Sequence, residues 1–231
     1  NGANELAQNL DDYFKGTVRI QKVPCIGRCQ SAPVAVVKFN PIDNANLKNV
    51  KQAVDAKEYN PSIPEYINMK EYIDKGGYKL FNKLKNNEID SDKVLTELES
   101  SNLRGLGGAG FPAGKKWRIL KDQPSPRLLA INIDEGEPGT FKDRFYLEMD
   151  PHRFFEGMLI ASEVVGIDKI YIYLRDEYAA VRTLMAKELS QLRDKFKDQI
   201  PEIELRRGAG AYICGEESAM IESIEGKKGM P

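Results

Sequence analysis

The sequence has a single histidine, a single tryptophan and only three cysteines among its 231 residues. A small, odd number of cysteines does not form a disulfide framework and is typical of a reducing compartment, so we expect a cytoplasmic location. No second histidine accompanies His152, which directly follows Pro151. We therefore interpret His152 as a helix-start residue and not as a metal ligand or a general base.

Long apolar runs and a surplus of one charge are also missing. No segment approaches the roughly 20 apolar residues that span a bilayer, so direct insertion into a membrane is not expected. The 34 Lys and Arg residues balance 35 Asp and Glu residues, and this balance does not favour nucleic acid as a partner. With 41% hydrophobic and 30% charged residues, the composition is that of a globular protein of one or two domains.

Glycine, in contrast, is concentrated in one stretch, RGLGGAGFPAGKKW, at residues 104–117. Glycine accepts positive φ and has no Cβ, so the main-chain N–H groups of such a stretch can approach a planar or phosphorylated ligand closely. Lys116 is suited to balance a phosphate, whereas Lys115 and Arg118 fit a solvated helix face equally well. The glycines predicted to form this cradle are Gly105, Gly107, Gly108, Gly110 and Gly114.

The same stretch contains the pattern G-x-G-x-x-G from Gly105 to Gly110, which resembles a Rossmann dinucleotide fingerprint. That fingerprint needs a strand before the glycines and a helix that they open. Residues 92–101 instead have helical periodicity, and Pro112 interrupts any helix that starts at Gly110. We therefore disfavour an ordinary Rossmann loop. A glycine-rich turn without a ligand is also disfavoured, because so many glycines cost conformational entropy.

Strands and helices are predicted to alternate regularly beyond residue 126. Such alternation implies right-handed crossovers and a mainly parallel sheet covered on both faces, with ligands at the carboxyl ends of its strands. The predicted strands are 127–133, 169–174 and 203–206, and the predicted helices are 151–165, 177–197 and 216–224. Upstream, we predict helices at 2–15, 69–85 with a break at Gly76-Gly77, and 92–101, strands at 17–21 and 34–37, and a linker at 45–65.

Acidic residues cluster where two of these strands end. The first strand runs into NIDEGEPG at 132–139, and the third runs into RGAGAYICGEE at 207–217. Carboxylates in these turns would repel a phosphate that they touched, so we expect them to accept hydrogen bonds from sugar hydroxyls, amides or ring N–H groups. A solvated acidic turn is the alternative for residues 134–137. Cys214 is interpreted as a small packed residue.

The other two cysteines, Cys25 and Cys29, are four positions apart in a loop rich in glycine and proline. Thiolates are ligands that iron and zinc prefer, so the pair is a candidate for two corners of a metal site. Two ligands do not complete a site. Two unrelated reduced thiols are an equally good interpretation of the spacing alone.

Four long motifs, in order and in register, carry a resemblance: GLGGAGFPAGKKW, NIDEGEPGTFKDR, DPHRFFEG and GAGAYICGEESAMIESIEGKKGMP. Over residues 66–231 they are similar to the FMN- and NADH-binding flavoprotein subunit of respiratory complex I and its soluble relatives. Upstream, PCIGRCQSAPVAVV resembles the second cysteine pair of the thioredoxin-like ferredoxins in that subunit's partner. The fused arrangement, with Leu106 in place of a family arginine, looks more like the beta subunit of soluble NAD-dependent formate dehydrogenases. A complex I flavoprotein subunit and the diaphorase subunit of NAD-reducing hydrogenases are the alternatives.

The resemblance implies an α/β fold: a Rossmann-like parallel-sheet FMN-binding domain at 66–231, incomplete at its C-terminal end, after the linker at 45–65. Residues 1–44 would be the C-terminal part of a thioredoxin-like ferredoxin domain. Phe111 matches an aromatic that stacks on the NADH adenine, Glu137 matches a carboxylate near the nucleotide's ribose, and Ile119 replaces a second stacking aromatic. The positions that match FMN contacts are Gly105, Gly107, Lys116, Asn132, Asp134, Glu135, Gly215, Glu216 and Glu217.

The activity that the resemblance implies is that of a diaphorase, in which a hydride passes between NAD(H) and FMN and electrons pass between FMN and iron–sulfur centres. The implied partners are the iron–sulfur subunits of a multisubunit dehydrogenase. A two-iron, two-sulfur cluster at Cys25 and Cys29 would need upstream ligands, and the family's four-iron, four-sulfur domain would follow the given sequence, which we expect to be cut at both ends. A non-catalytic assembly module is the alternative of a different class.

Overall fold

The computed structural model describes residues 2–106 and 109–231. Within these ranges the chain is an α/β structure with one two-stranded antiparallel sheet and one three-stranded parallel sheet. The predicted α/β class and the parallel sheet are confirmed. None of the helices in the described part is long and apolar enough to cross a membrane.

The N-terminal part packs two helices against the antiparallel sheet. Helix α1 (Ala3–Phe14) confirms the prediction for residues 2–15, and strands β1 (Ala35–Val37) and β2 (Asn40–Ile42) pair with each other. The predicted strand at 17–21 does not form. Val18 and Ile20 pack against the N-terminal cluster instead, and among the described residues no strand lies beside them to complete a ladder.

The predicted linker at 45–65 contains a helix, α2 (Leu47–Asp55). The side chains of Asn46 and Asn49 each accept a hydrogen bond from the other's main-chain N–H, which forms a capping box. Val50 and Ala53 are buried in the N-terminal cluster. Capping and burial outweigh the polar composition, so the linker prediction is wrong for this helix, while residues 58–68 have neither helix nor strand. The domain boundaries proposed for this region stay predictions.

Four further helices lie between α2 and the parallel sheet in the described part of the chain. The break between the first two lies at Gly76, whose φ of 94° is in the left-handed region that glycine tolerates, so the predicted interruption is confirmed. The fourth begins directly after Pro112, which occupies its N-cap position. The helices are α3 (Met69–Asp74), α4 (Lys79–Lys85), α5 (Ser91–Ser100) and α6 (Ala113–Lys121).

The parallel sheet has the strand order β3-β4-β5, with its strands paired in the same order as in the chain. Asp150 caps α8 by accepting a hydrogen bond from the N–H of Arg153, and Gly166 ends α8 with φ 74°, as the sequence signals predict. Helix α7 is not among the predicted helices. The elements are β3 (Leu128–Ile133), α7 (Lys142–Met149), α8 (Pro151–Val165), β4 (Lys169–Leu174), α9 (Ala179–Phe196), β5 (Glu202–Arg207) and α10 (Glu217–Ile224).

The main core lies between the sheet and helices α8 and α9. Ile170, Ile172 and Leu174 of β4 are fully buried there. The expectation that both faces of the sheet are covered holds for β4 but is wrong for β3, where Leu128 is 59% exposed and Asn132 is also exposed. Alternate side chains of a strand face opposite sides, and β3 is an edge strand. The face of β3 that carries Leu128 and Asn132 is therefore uncovered.

Candidate functional site

Asn132, near the end of β3, joins the two loops that the sequence singles out. Its Nδ2 donates to the carbonyl oxygen of Gly215 over 2.8 Å, and its Oδ1 accepts from the N–H of Asp134 over 3.0 Å. The structure thus brings together the acidic loop (residues 134–137) and the tyrosine loop (residues 208–216) at the carboxyl end of the parallel sheet. This is where ligands of open α/β sheets bind.

Asp134 is the most unusual group of the acidic loop. Its side chain is buried, and its Oδ2 has no hydrogen-bond partner. Burial raises the pKa of this carboxyl to about 6, with Arg175 opposing the shift and Glu177 adding to it. Gly215 approaches closely, because a Cβ at this glycine would lie 3.1 Å from the carbonyl oxygen of Asp134. A buried carboxylate oxygen without a partner is costly, which makes Asp134 the candidate in this loop for accepting a hydrogen bond from a ligand.

Glu135 is committed to partners within the protein. Its carboxylate accepts hydrogen bonds from the N–H groups of Asp143 (3.0 Å) and Arg144 (3.3 Å) at the start of α7, and from the hydroxyl of Tyr178 (2.8 Å). These bonds fix the beginning of α7 to the acidic loop. Glu135 therefore has a structural role, and its predicted contact with a cofactor stays a prediction.

Glu137 and Tyr212 link the outer ends of the two loops. The Tyr212 hydroxyl donates to Oε2 of Glu137 over 2.6 Å, and Tyr212 is 65% exposed. A Cβ at Gly136 would lie 3.0 Å from the ring of Tyr212, so this glycine allows Tyr212 to approach the acidic loop closely. Sequence reasoning missed Tyr212, although its place within the glycine-flanked segment GAGAYICG was an available signal.

The two neighbouring glutamates at the end of the tyrosine loop and the start of α10 differ in their contacts. Glu216 caps α10 by accepting from the N–H groups of Ser218 and Ala219, each over 3.0 Å. The hydrogen bond from the Ser218 hydroxyl, together with these N–H groups, lowers the pKa of the Glu216 carboxyl. Glu217 lies exposed at the start of α10, so its carboxylate is open to solvent.

The glycine loop (residues 104–112) is closed at its base. The N–H of Gly105 donates to the carbonyl oxygen of Phe111 over 2.9 Å, and Arg104 pairs with Pro112 in an isolated bridge. Phe111 is 45% exposed and therefore accessible to a stacking partner. Gly107 and Gly108 lie outside the described residues. No hydrogen bond or ion pair among the residues that the structure describes joins this loop to the acidic loop or the tyrosine loop.

The glycines of this stretch do not all serve one purpose. Gly110 has a positive φ of 55°, as expected for a cradle, but Gly105 does not. Gly114 is wrongly assigned to the cradle: a Cβ there would lie 2.7 Å from the main-chain nitrogen of Glu99, so this glycine permits close packing of α6 on α5. Helix packing, not ligand approach, explains its lack of a side chain.

The cations after the loop also differ. Arg118 makes a two-pronged ion pair with Glu99, with both N···O distances at 2.8 Å. Lys116 is exposed on α6 and has no ion pair within the described ranges, so its charge is available to a phosphate.

The cysteine loop (residues 25–29) holds its two thiols together, with Sγ of Cys25 3.4 Å from Sγ of Cys29. Burial opposes deprotonation of Cys25, but hydrogen bonds from the N–H of Gly27 and from Cys29 outweigh it and lower its pKa, whereas the bond to Cys25 raises the pKa of Cys29. No third histidine, cysteine or carboxylate among the described residues joins them as a metal ligand. A metal-binding role for Cys25 and Cys29 stays a prediction. Cys214 is buried, in agreement with its interpretation as a packed residue.

His152 lies at the start of α8, as predicted, and both of its ring nitrogens are occupied. Nε2 is 2.9 Å from Oε2 of Glu188, and Nδ1 is 2.7 Å from the hydroxyl of Tyr78. Burial lowers the pKa of His152 despite the nearby carboxylate, so the ring is neutral and donates to Glu188. The sequence interpretation found no organised carboxylate partner, because Glu188 comes from a different helix.

Comparison with known proteins identifies the family. Residues 98–231 match the Nuo51 FMN-binding domain. The chain belongs to this family. Similar curated proteins include NADH-quinone oxidoreductase subunits of Aquifex aeolicus (strain VF5), 43% identical over 176 residues, and of Rhizobium meliloti (strain 1021), 39% identical over 181 residues.

These matches cover 73% and 74% of this chain but only 41% and 43% of the two relatives. The chain thus spans about two fifths of the length of these relatives. Among solved structures, the NAD+-reducing [NiFe]-hydrogenase in its air-oxidized state aligns with a TM-score of 0.80 and 30% identity, over 99% of this chain and 44% of that chain. The predicted membership of the FMN-binding flavoprotein family is confirmed.

Proposed function

We propose that this chain is the FMN-binding part of an NADH:acceptor oxidoreductase, a diaphorase module that passes electrons from NADH through FMN to iron–sulfur centres. The observation that carries this proposal is the buried Oδ2 of Asp134, which lacks a partner at the carboxyl end of the parallel sheet. A flavin offers ring N–H and ribityl hydroxyl donors that match such an acceptor. The family match at residues 98–231 supports the same assignment.

The residues around this atom fit the group. Asp134 would accept a hydrogen bond from the flavin, Asn132 holds the two loops at the spacing seen here, and Lys116 would balance the phosphate. Phe111 would stack on the nucleotide's adenine and Glu137 would lie near its ribose. When bound, FMN accepts a hydride from the nicotinamide and releases electrons singly. The chain itself supplies binding and orientation. Hydride transfer needs no general base, so the role of His152 is structural and not catalytic.

The electron acceptor or donor that exchanges electrons with the flavin is the subject of a second, more specific proposal. Cys25 and Cys29 would supply two thiolates of an iron–sulfur cluster whose other ligands come from outside the described residues. We propose iron–sulfur subunits of a multisubunit dehydrogenase as partners. The relatives named above are an NADH-quinone oxidoreductase subunit and an NAD+-reducing hydrogenase, and they support the complex I and hydrogenase alternatives. The beta subunit of a formate dehydrogenase stays a proposal from the sequence.

Replacement of Asp134 by asparagine is expected to stabilise the flavin-free protein and to weaken flavin binding. Asparagine has nearly the same shape and no charge, so the variant removes the cost of a buried, unpartnered carboxylate. The free energy of unfolding should rise by about 1–2 kcal/mol at neutral pH. The folded pKa of about 6 exceeds the unfolded value of about 3.9. The increase in the free energy of unfolding of Asp134→Asn should therefore be absent at a pH below the unfolded pKa and should grow as the pH rises from the unfolded to the folded pKa. It should be complete at a pH above the folded pKa.

Urea unfolding across this pH range, together with FMN titration, measures both effects. Asp92, an exposed carboxylate that pairs with Lys121, provides the matched control, and Asp92→Asn should give no stabilisation. A parent protein that is more stable than Asp134→Asn at neutral pH would contradict the prediction, because the carboxylate would then have a partner within the chain.

The bound flavin is expected to be FMN and not FAD. The chain matches an FMN-binding family over residues 98–231. Acid release of the cofactor followed by chromatography identifies it, and recovery of FAD would disprove the expectation. A colourless protein that binds neither flavin would instead favour the non-catalytic assembly module.

A further inference from the structure

The cysteine loop is connected to the acidic loop through side chains that contact both. Arg175, which follows the last residue of β4, donates one guanidinium nitrogen to the carbonyl oxygen of Cys25 and another to the carbonyl oxygen of Glu135. One side chain therefore touches the main chain of both loops. The two loops are 110 positions apart in sequence between Cys25 and Glu135, so only the tertiary structure creates this connection.

Two neighbours of Arg175 make the same connection by other atoms. Tyr178 donates its hydroxyl to the carboxylate of Glu135, and its ring covers Gly27, where a Cβ would lie 2.5 Å from the hydroxyl oxygen. Arg144 donates its Nε to the carbonyl oxygen of Gly27 over 3.2 Å, and its main-chain N–H donates to Glu135. All three residues thus contact Glu135 on one side and the cysteine loop on the other.

Arg175 is the centre of this arrangement. It is 4% exposed, and a buried guanidinium requires compensation for its lost hydration. Glu177 provides an ion pair at 3.1 Å, and the Tyr178 ring lies 5.6 Å from the guanidinium carbon. The flat guanidinium directs its donors in several fixed directions at once, which an ammonium group does not do. Its two carbonyl contacts consequently set a defined distance between the loops.

We propose that Arg175 is a positioning residue, which holds the acidic loop against the cysteine loop and thereby sets the geometry of the flavin and nucleotide site. This inference rests on the proposed function, since it gives the acidic loop a ligand to position. Asp134 and Glu137 belong to the same short loop as the Glu135 carbonyl that Arg175 holds. Displacement of that carbonyl moves the carboxylate that would receive the flavin and the one that would receive the nucleotide.

The test compares Arg175→Met, Arg175→Lys and a control, Arg207→Met, in the full chain. Arg207 ends β5 beside the same sheet edge, but its side chain is 57% exposed and pairs with Asp176. Four measurements are made on each protein. The first two are the Kd for FMN and the visible circular dichroism of bound FMN. The other two are the kcat and KM for NADH, and the hydrogen–deuterium exchange of peptides that cover residues 23–30 and 134–146.

Arg175→Met is expected to bind FMN at least about 10-fold more weakly and to alter the dichroism of the flavin that remains. KM for NADH should rise more than kcat falls, and exchange should accelerate in both peptides. Arg175→Lys should lie between this variant and the parent, and Arg207→Met should match the parent within about twofold.

Faster exchange with unchanged FMN affinity, dichroism and KM would overturn the proposal, because Arg175 would then only stabilise the fold. Unchanged exchange in the cysteine-loop peptide would also overturn it. A parent protein that binds no FMN would refute the proposed function, and the exchange data would still decide whether Arg175 joins the loops.

Discussion

The flavin-loaded protein is expected to oxidise NADH with a kcat/KM at least about 100-fold higher than that for NADPH. Glu137 lies at the exposed end of the acidic loop, and only its Oε2 is engaged, by the hydroxyl of Tyr212. A carboxylate that accepts a hydrogen bond from the ribose 2′-hydroxyl repels a 2′-phosphate at the same place. Close repulsion between like charges in a partly desolvated site costs several kcal/mol.

Steady-state reduction of ferricyanide with each nucleotide measures this preference. Glu137→Gln removes the charge and should reduce the preference about 10-fold, whereas Tyr212→Phe keeps the charge and should leave the preference in place. Glu202→Gln, at the opposite end of the sheet, is the control for a general loss of negative charge. Equal kcat/KM values for the two nucleotides in the parent protein would refute the prediction.

Replacement of Glu188 by leucine is expected to lower the free energy of unfolding by about 3–5 kcal/mol. Glu188 is fully buried on α9 and accepts hydrogen bonds from Tyr66 (2.7 Å) and Gln191 (2.9 Å), and its other oxygen is 2.9 Å from Nε2 of His152. Leucine leaves the buried imidazole N–H of His152 without an acceptor and removes the acceptor of the half-buried Tyr66 hydroxyl. Each unsatisfied group costs about 1–3 kcal/mol, and together they account for the expected loss.

Urea unfolding at neutral pH, in protein of known flavin content, measures the loss. Glu163→Leu is the matched control: Glu163 lies on α8 and pairs with Lys85 over 3.0 Å, but its side chain is 34% exposed. A partly exposed pair contributes at most about 1 kcal/mol, so this variant should remain close to the parent. Comparable losses in the two variants would show that the buried network around His152 contributes no more to the free energy of unfolding than a partly exposed ion pair does.

The secondary structure was predictable wherever local signals agreed. The Asp150-Pro151 start and the Gly166 end of α8 satisfy the main-chain groups of a helix by themselves, so neighbours in sequence decide them. Helix α2 shows the limit of composition. Its asparagines suggested a linker, but Asn46 and Asn49 form a capping box at the start of the helix. Burial of Val50 then stabilises this helix, although the polar composition of the segment does not predict it.

Site residues were predictable in position but not in role. Parallel strands end at the same edge of a sheet, so the strand pattern alone places Asp134 and Glu216 near each other. What each carboxylate does depends on its partners. Glu135 accepts hydrogen bonds from N–H groups of α7, and Glu216 accepts them from N–H groups of α10. Asp134, in contrast, keeps an oxygen without a hydrogen-bond partner.

The sequence by itself determined the family, the alternation of strands and helices, and the edge of the sheet where the acidic residues collect, because motifs, periodicity and caps are local properties of the chain. Only the tertiary structure decided which of those residues keeps an unpartnered oxygen. It also placed the cysteine loop on the acidic loop through Arg175 and paired His152 with Glu188. These contacts join distant segments, and burial in the folded core sets their strength, which no local pattern encodes.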